Sequence, residues 1–201
     1  MPDTNTTPDL EPASRAIRSL VLGVTDDQLT LPTPCDGWLV GDLLDHLVGL
    51  TVAFRVAAEK AADAAPDGPP NPSMANLDPA WRAVLPAQLA DLTAAWRKPS
   101  AWTGETAAGG VVLPAEIMGV VALDELVIHG WDLARATGQR YEVDPQTLES
   151  VHSLVSAQQT SAGAPGLFGP PVPMPTQAPL LDRVVGLTGR NPAWPARTTP
   201  A

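Results

Sequence analysis

Leucine, valine, alanine and tryptophan return every three or four positions in several separate stretches of this chain, and polar residues, prolines and glycines fill the intervals. In "LEPASRAIRSLVL" the residues Leu10, Ala13, Ile17, Leu20 and Val21 share one helical face. The spacing predicts a helix from residue 10 to about 22, continuing through "GVTDDQL" with a break at Gly23. A second helix starts at residue 40 or 41 and runs to about 62, with Leu43, Leu47, Leu50 and Phe54 as its stripe. Trp81, Leu85, Leu89, Leu92 and Trp96 define a third over 79–97. A fourth spans 114 or 115 to 137, with Pro114 suited to its first turn and Gly138 to its end. A fifth runs from 145 to about 161, and a short helix over 178–187 follows a Pro/Gly-rich segment.

The 23 prolines and 16 glycines cluster between these periodic stretches. "TLPTPCDGW" reads as a well-fixed loop, and "DAAPDGPPNPSMANLD" as a surface loop. "KPSAWTGETAAGGVVLP" reads as a loop with a short extended piece at 111–113. The two long loops, 63–78 and 98–113, are placed to cover an end of the bundle. The expected fold is all-α: a four-helix bundle with a C-terminal helical, Pro-rich appendage. One domain over 10–194 lies between flexible tails at 1–9 and 195–201.

The fourth stretch, "VALDELVIHGWDLARATG", carries four polar residues in an apolar run: Asp124, Glu125, His129 and Asp132. Glu125 and His129 are four apart, so a helix stacks them on one face. His46 shares the inward stripe of the second helix with Leu39, Leu43 and Leu50. Two of the three histidines therefore lie on inward faces of two long helices, where a bundle can build a metal site. Two imidazoles and a carboxylate suit a divalent ion with an open position, zinc first, with nickel, manganese or iron also compatible. From the residues alone a plainer reading stays open: a hydrogen-bonded core histidine and a surface Glu–His pair.

Asp132 either orients an imidazole or pairs with Arg135 or an N-terminal arginine. Asp124 reads as a surface residue. His152 has no acidic or imidazole partner at helical spacing and reads as structural or surface. Trp38 and Trp131 are core residues or walls of a pocket.

Composition narrows the partners. The chain has 201 residues, enough for a substantial core, and a formal net charge of -10. Such a surface repels phosphate backbones and anionic lipid, so neither nucleic acid nor membrane is an expected partner. Hydrophobic residues reach 44% but aromatics only 4%, so small aliphatic side chains must build the core. No signal peptide or spanning segment is expected, which points to the cytoplasm. The single cysteine, Cys35, excludes an internal disulfide and a multi-cysteine metal cage. It precedes a helix, where a thiolate would be favoured, but no basic partner is near it in sequence. A homodimer is expected on base rate alone.

"PTPCDGWLVGDLLDHLVG" and "ALDELVIHGWDLARATGQ" together resemble the two signatures of metal-binding proteins of the mycothiol-dependent maleylpyruvate isomerase type, within the DinB-like helical-bundle superfamily. "FGPPVPMP" and "LLDRVVGLTGRNPAW" resemble the tail of an actinobacterial subgroup. The resemblance implies metal ligands at His46, Glu125 and His129. It also implies a low-molecular-weight thiol, such as mycothiol, as cofactor or co-substrate. The recurrence of "PTPC" gives Cys35 two readings, a buried structural cysteine or a group at the mouth of the site.

Two departures bear on function. The chain as read is too short for the whole further C-terminal domain of the isomerases. Leu39 stands where a capping serine or threonine is common, and Gly41 where a basic residue is common. Capping is expected from Asp36 instead, and the missing charge argues against an acidic substrate. The leading expectation is an enzyme transferring or using a small thiol. A metal-dependent hydrolase and a non-catalytic binding module are the alternatives.

Overall fold

Helix α1, Glu11–Gly23, forms where sequence periodicity is cleanest, and it buries Ala13, Ser14, Ile17, Leu20 and Val21. A computed structural model of the chain describes residues 7–61, 71–158 and 168–195. Parts of the expected tails and of the second interval, and the last turn expected of the fifth helix, lie outside these residues. Asp9 accepts the Glu11 N–H at 3.0 Å, and Ser14 and Thr93 share a buried hydrogen bond of 2.9 Å that ties α1 to the helix carrying Thr93. The chain leaves α1 at Val24, which is extended, and makes a separate 3-10 turn at Asp26–Thr30 rather than continuing the helix.

Helix α2, Val40–Glu59, buries Leu43, Leu47, Leu50 and Phe54 as its stripe requires. Its start is not held by Asp36. Asp42 accepts the Leu39 N–H at 2.8 Å and also the Met74 N–H at 2.6 Å, so a residue of the helix's first turn does the capping. Helix α3, Trp81–Trp96, buries all five members of its predicted stripe. The interval after it is more ordered than a loop. Pro99–Trp102 is a 3-10 turn, and β1 (Glu105–Ala108) pairs antiparallel with β2 (Val111–Pro114) in register Ala108↔Val111. Gly109 and Gly110 have φ of 57° and 81°, the left-handed pair that a two-residue hairpin turn needs.

This hairpin packs on the C-terminal end of α2, where Thr106 donates to the Ala57 carbonyl. Ala57 is 11 residues beyond His46, roughly 16 Å along a helix axis. The 98–113 segment therefore covers the end of α2 far from His46. Helix α4, Ala115–Thr137, begins after Pro114 and ends at Gly138, whose φ is 71°. Gly119 lets Trp96 and Trp102 press on α4: a Cβ there would come within 2.4 Å of the Trp102 ring. Their indole N–H groups donate to the carbonyls of Phe54 and Trp96.

Helix α5, Pro145–Gln158, and α6, Leu180–Leu187, pack together, and Arg183 lies 2.9 Å from His152 Nε2 across them. His152 thus has a cationic neighbour rather than an acidic one, and it stays away from the other two histidines. The architecture is an all-α bundle with an extra C-terminal helix, as the pattern predicted, with one small hairpin added. The arm around α6 returns across the bundle: Arg135 donates to the Pro192 carbonyl. Val172 N–H donates to the Gly186 carbonyl at 2.9 Å.

Candidate metal centre

Helices α2 and α4 turn His46, Glu125 and His129 onto one point. One donor atom from each lies within 4.8 Å of the others. Glu125 Oε2 is 3.0 Å from His129 Nε2 and 3.5 Å from His46 Nε2. Both are ion-pair approaches, and that oxygen is buried with no hydrogen bond of good geometry among the described residues. A buried carboxylate oxygen facing two imidazole nitrogens, with a well-formed hydrogen bond to neither, is an arrangement that a cation completes. The donor set fits a divalent ion on this observation.

His129 is held from behind. Its Nδ1 meets Asp132 Oδ2 at 3.0 Å, which leaves Nε2 facing Glu125. Asp132 is fully buried and also receives Arg190, with Nη2 at 3.0 Å and Nε at 3.3 Å. Trp38 lies against both imidazoles, its ring centre 5.8 Å from His129 in a stacked arrangement and 4.9 Å from His46.

The electrostatics follow from this enclosure. Burial disfavours the His129 imidazolium, but Asp132 and Glu125 outweigh it and raise its pKa to about 9. Burial pushes Glu125 up, but the two imidazoles outweigh it and leave its pKa below the usual carboxylate range. Burial acts on Asp132 in the same way, and Arg190 and His129 reverse it. The centre stabilises positive charge, as a metal site must.

A cavity of about 560 Å³ opens over these residues. From the bundle side it is lined by Cys35, Asp36 and Trp38 together with His46, Glu125 and His129. From the arm come Phe168, Arg190, Asn191 and Trp194. The "PTPCDGW" loop positions Cys35 and Trp38. Thr33 Oγ1 accepts the Cys35 N–H at 3.2 Å and contacts the Trp38 carbonyl at 3.0 Å, and Gly37 has φ of 79°. Cys35 is not a stabilised thiolate: burial dominates over Arg190 and raises its pKa to about 11. Arg190 Nη2, 3.9 Å from its sulfur, is the basic neighbour that local sequence did not reveal. Trp131 stands apart, in the core with Arg135 over its ring, and does not line this cavity.

Asp124 corrects its sequence reading. It is 2% exposed, not a surface residue, and it lines the same cavity. Burial and the neighbouring Glu125 charge raise its pKa to about 8. Asp132 pairs with Arg190 rather than with Arg135 or an N-terminal arginine. Arg190 itself carries no local signal that separates it from Arg183.

The bundle and its added helix give the chain a DinB-like helical-bundle fold. More narrowly, residues 10–134 match the family model described as "Mycothiol maleylpyruvate isomerase N-terminal domain", and the chain belongs to that family. Two relatives, uncharacterized proteins from two strains of Mycobacterium tuberculosis, are each 30% identical over 188 residues, covering 89% of this chain and 94% of theirs. The solved structure of the mycothiol-dependent maleylpyruvate isomerase is similar in fold, with TM-score 0.57 and 18% identity over 73% of this chain and 66% of that one. A histidine-to-alanine mutant of that isomerase gives TM-score 0.59 and 18% identity over 77% and 70%. The match thus spans about two thirds of the isomerase chains. Among the described residues no helix is long and apolar enough to cross a membrane.

Proposed function

We propose that the protein is a metal-dependent enzyme that takes a low-molecular-weight thiol, mycothiol first, and either transfers it or uses it as a cofactor. The observation that carries this reading is the convergence of two imidazole nitrogens on the buried Glu125 Oε2 at a cavity wall, with no hydrogen bond of good geometry at that oxygen. Family membership supports the thiol. His46, Glu125 and His129 are the residues that would hold the ion, zinc first, with nickel, manganese and iron as alternatives. When bound, such an ion favours the thiolate form of a ligand sulfur.

The chain's own groups prepare the site for that chemistry. Asp132 holds the Nδ1 proton of His129, and Arg190 holds Asp132, so the imidazole keeps one orientation. Trp38 lies over both rings and shields them from water. Cys35 stays protonated at neutral pH and does not compete as a thiolate. The cavity needs both bundle and arm, which favours residues 10–194 as one working unit. A cytoplasmic location suits the reading, since thiols are kept reduced there.

The test is elemental analysis of protein purified without added metal, beside His129→Ala. Metal in the first and its loss in the second are expected, and no metal in either would sink the proposal. Electrophiles are then offered with mycothiol, with another thiol or with none. Turnover that requires thiol supports the enzyme proposed here. Turnover without thiol means a hydrolase, and tight binding without turnover means a binding module.

A further inference from the structure

The oxygen that steadies His129 also holds the C-terminal arm. Asp132 Oδ2 meets His129 Nδ1 at 3.0 Å and accepts from Arg190 Nη2 at 3.0 Å. Arg190 Nε donates to the second oxygen, Oδ1, at 3.3 Å. The guanidinium thus grips both oxygens side-on, and a two-point grip fixes the plane of a carboxylate as well as pairing its charge. Asp132 is fully buried, so no water replaces that grip if it is lost. His46 offers the contrast. Its Nδ1 is buried and has no hydrogen-bond partner among the described residues. Orientation from behind is therefore concentrated on His129, and it runs through Asp132 to Arg190.

Arg190 stands where the arm turns back to the bundle. Helix α6 packs on α5, and Gly189, with φ of 82°, directs the chain from its end toward α4. Among the described residues, hydrogen bonds join the arm to α4 at two places. One is the Asp132–Arg190 pair, and the other is the Arg135 guanidinium on the Pro192 carbonyl. The same stretch carries Asn191 and Trp194, which wall the cavity from the arm side. Lifting it would open the cavity and free the Asp132 carboxylate in one movement.

We propose that Arg190 is a positioning residue for the centre, acting through Asp132 on His129, and that seating of the arm and filling of the metal site form one coupled equilibrium. A seated arm sets the plane of Asp132 and so presents His129 Nε2 to an ion. An ion on His129 in turn keeps Asp132 Oδ2 where Arg190 needs it. Coupling of this kind is reciprocal, so each event favours the other by the same factor. The cavity is then fully walled when the centre is occupied and looser when it is empty. The inference rests on the metal reading above and adds to it how the rest of the chain senses the ion.

The test reads both directions in the full chain. Amide hydrogen exchange of residues 188–194 is followed by mass spectrometry with and without zinc, and the hairpin at 105–114, at the far end of α4, serves as internal reference. Zinc should slow exchange in the arm about tenfold and leave the hairpin as it was. Arg190→Met should abolish that slowing and lower zinc affinity about tenfold. Arg190→Lys keeps the charge but not the two-point grip. Its affinity and its arm protection should both fall between those of the parent chain and Arg190→Met, and it serves alone if the methionine variant does not fold. A merely structural arginine would weaken the metal-free fold and leave the zinc effect on the arm intact. Arm exchange that ignores zinc, or that zinc slows as much in the variants as in the parent, overturns the coupling and leaves the metal reading standing. Protein that takes up no zinc on elemental analysis overturns the metal reading, and the coupling with it.

Discussion

Arg190 and Asp132 form a buried ion pair that joins the C-terminal arm to the C-terminal part of α4, 58 positions earlier in the chain. Asp132 is also the group that holds His129 Nδ1. One carboxylate therefore fixes both the arm and an imidazole of the centre.

Asp132→Ala removes the acceptor behind His129 and strands Arg190. Metal affinity is expected to fall about 10- to 100-fold. A competition titration with a chromophoric chelator measures it, and unchanged affinity would show that the imidazole is oriented without Asp132.

Arg190→Met leaves Asp132 buried with His129 as its remaining partner. Breaking a buried pair from one side costs about 3 kcal/mol or more. Urea denaturation of metal-free protein should show this loss. Adding Asp132→Asn to the same chain should recover part of it, because neither charge is then buried alone. Simple additivity of the two losses would argue against the coupling.

Cys35 should react slowly with iodoacetamide at pH 7 to 8, and its rate should climb toward pH 11, since burial raises the thiol to about 11. The sign for stability follows. An unfolded thiol ionises near pH 8.5. The folded state, which keeps its proton longer, therefore loses stability as pH rises between those values. Removing Arg190 should slow alkylation further, because its charge lowers the Cys35 pKa. Rapid alkylation at pH 7 would contradict the enclosure of this sulfur.

Gly119→Ala places a methyl group 2.4 Å from the Trp102 ring and 2.8 Å from Trp96. Overpacking of this kind costs about 1 to 3 kcal/mol. Thermal unfolding should detect it. Metal content at 20 °C should hold, because Gly119 packs at the hairpin end of α4, away from Glu125 and His129.

The helical stripes were legible because large aliphatic and indole side chains recur at the helical period with few interruptions. The apolar residues that define the stripes of α1, α2 and α3 are buried, while His46 and Leu39, read as sharing the α2 stripe, are half-buried. The Glu125–His129 pair was legible for the same reason: a spacing of four is a statement about one helix. Arg190 was not, because its value comes from where the chain returns after the Pro/Gly-rich segment. Asp124 was misread because helical spacing gives an angle, and a helix covered on most of its circumference has little outside to point to. The hairpin is legible only in part: the β-branched Val111 and Val112 after a Gly-Gly pair mark the extended piece at 111–113 that becomes β2, whereas its partner Glu105–Ala108 is mostly Glu and Ala and carries no strand signal.

The division of labour in the cavity wall has a consequence for how such a protein can change. The two helices α2 and α4 carry every proposed ligand of the metal, and the arm from Phe168 to Trp194 contributes the facing wall. The proposed ligands and most of the facing wall thus lie in different parts of the chain, joined through Arg190 and Asp132. Substitutions along the arm other than at Arg190 can reshape the cavity without touching the proposed ligands beneath. The wall facing the proposed centre can in this way change while α2 and α4 keep their three donors.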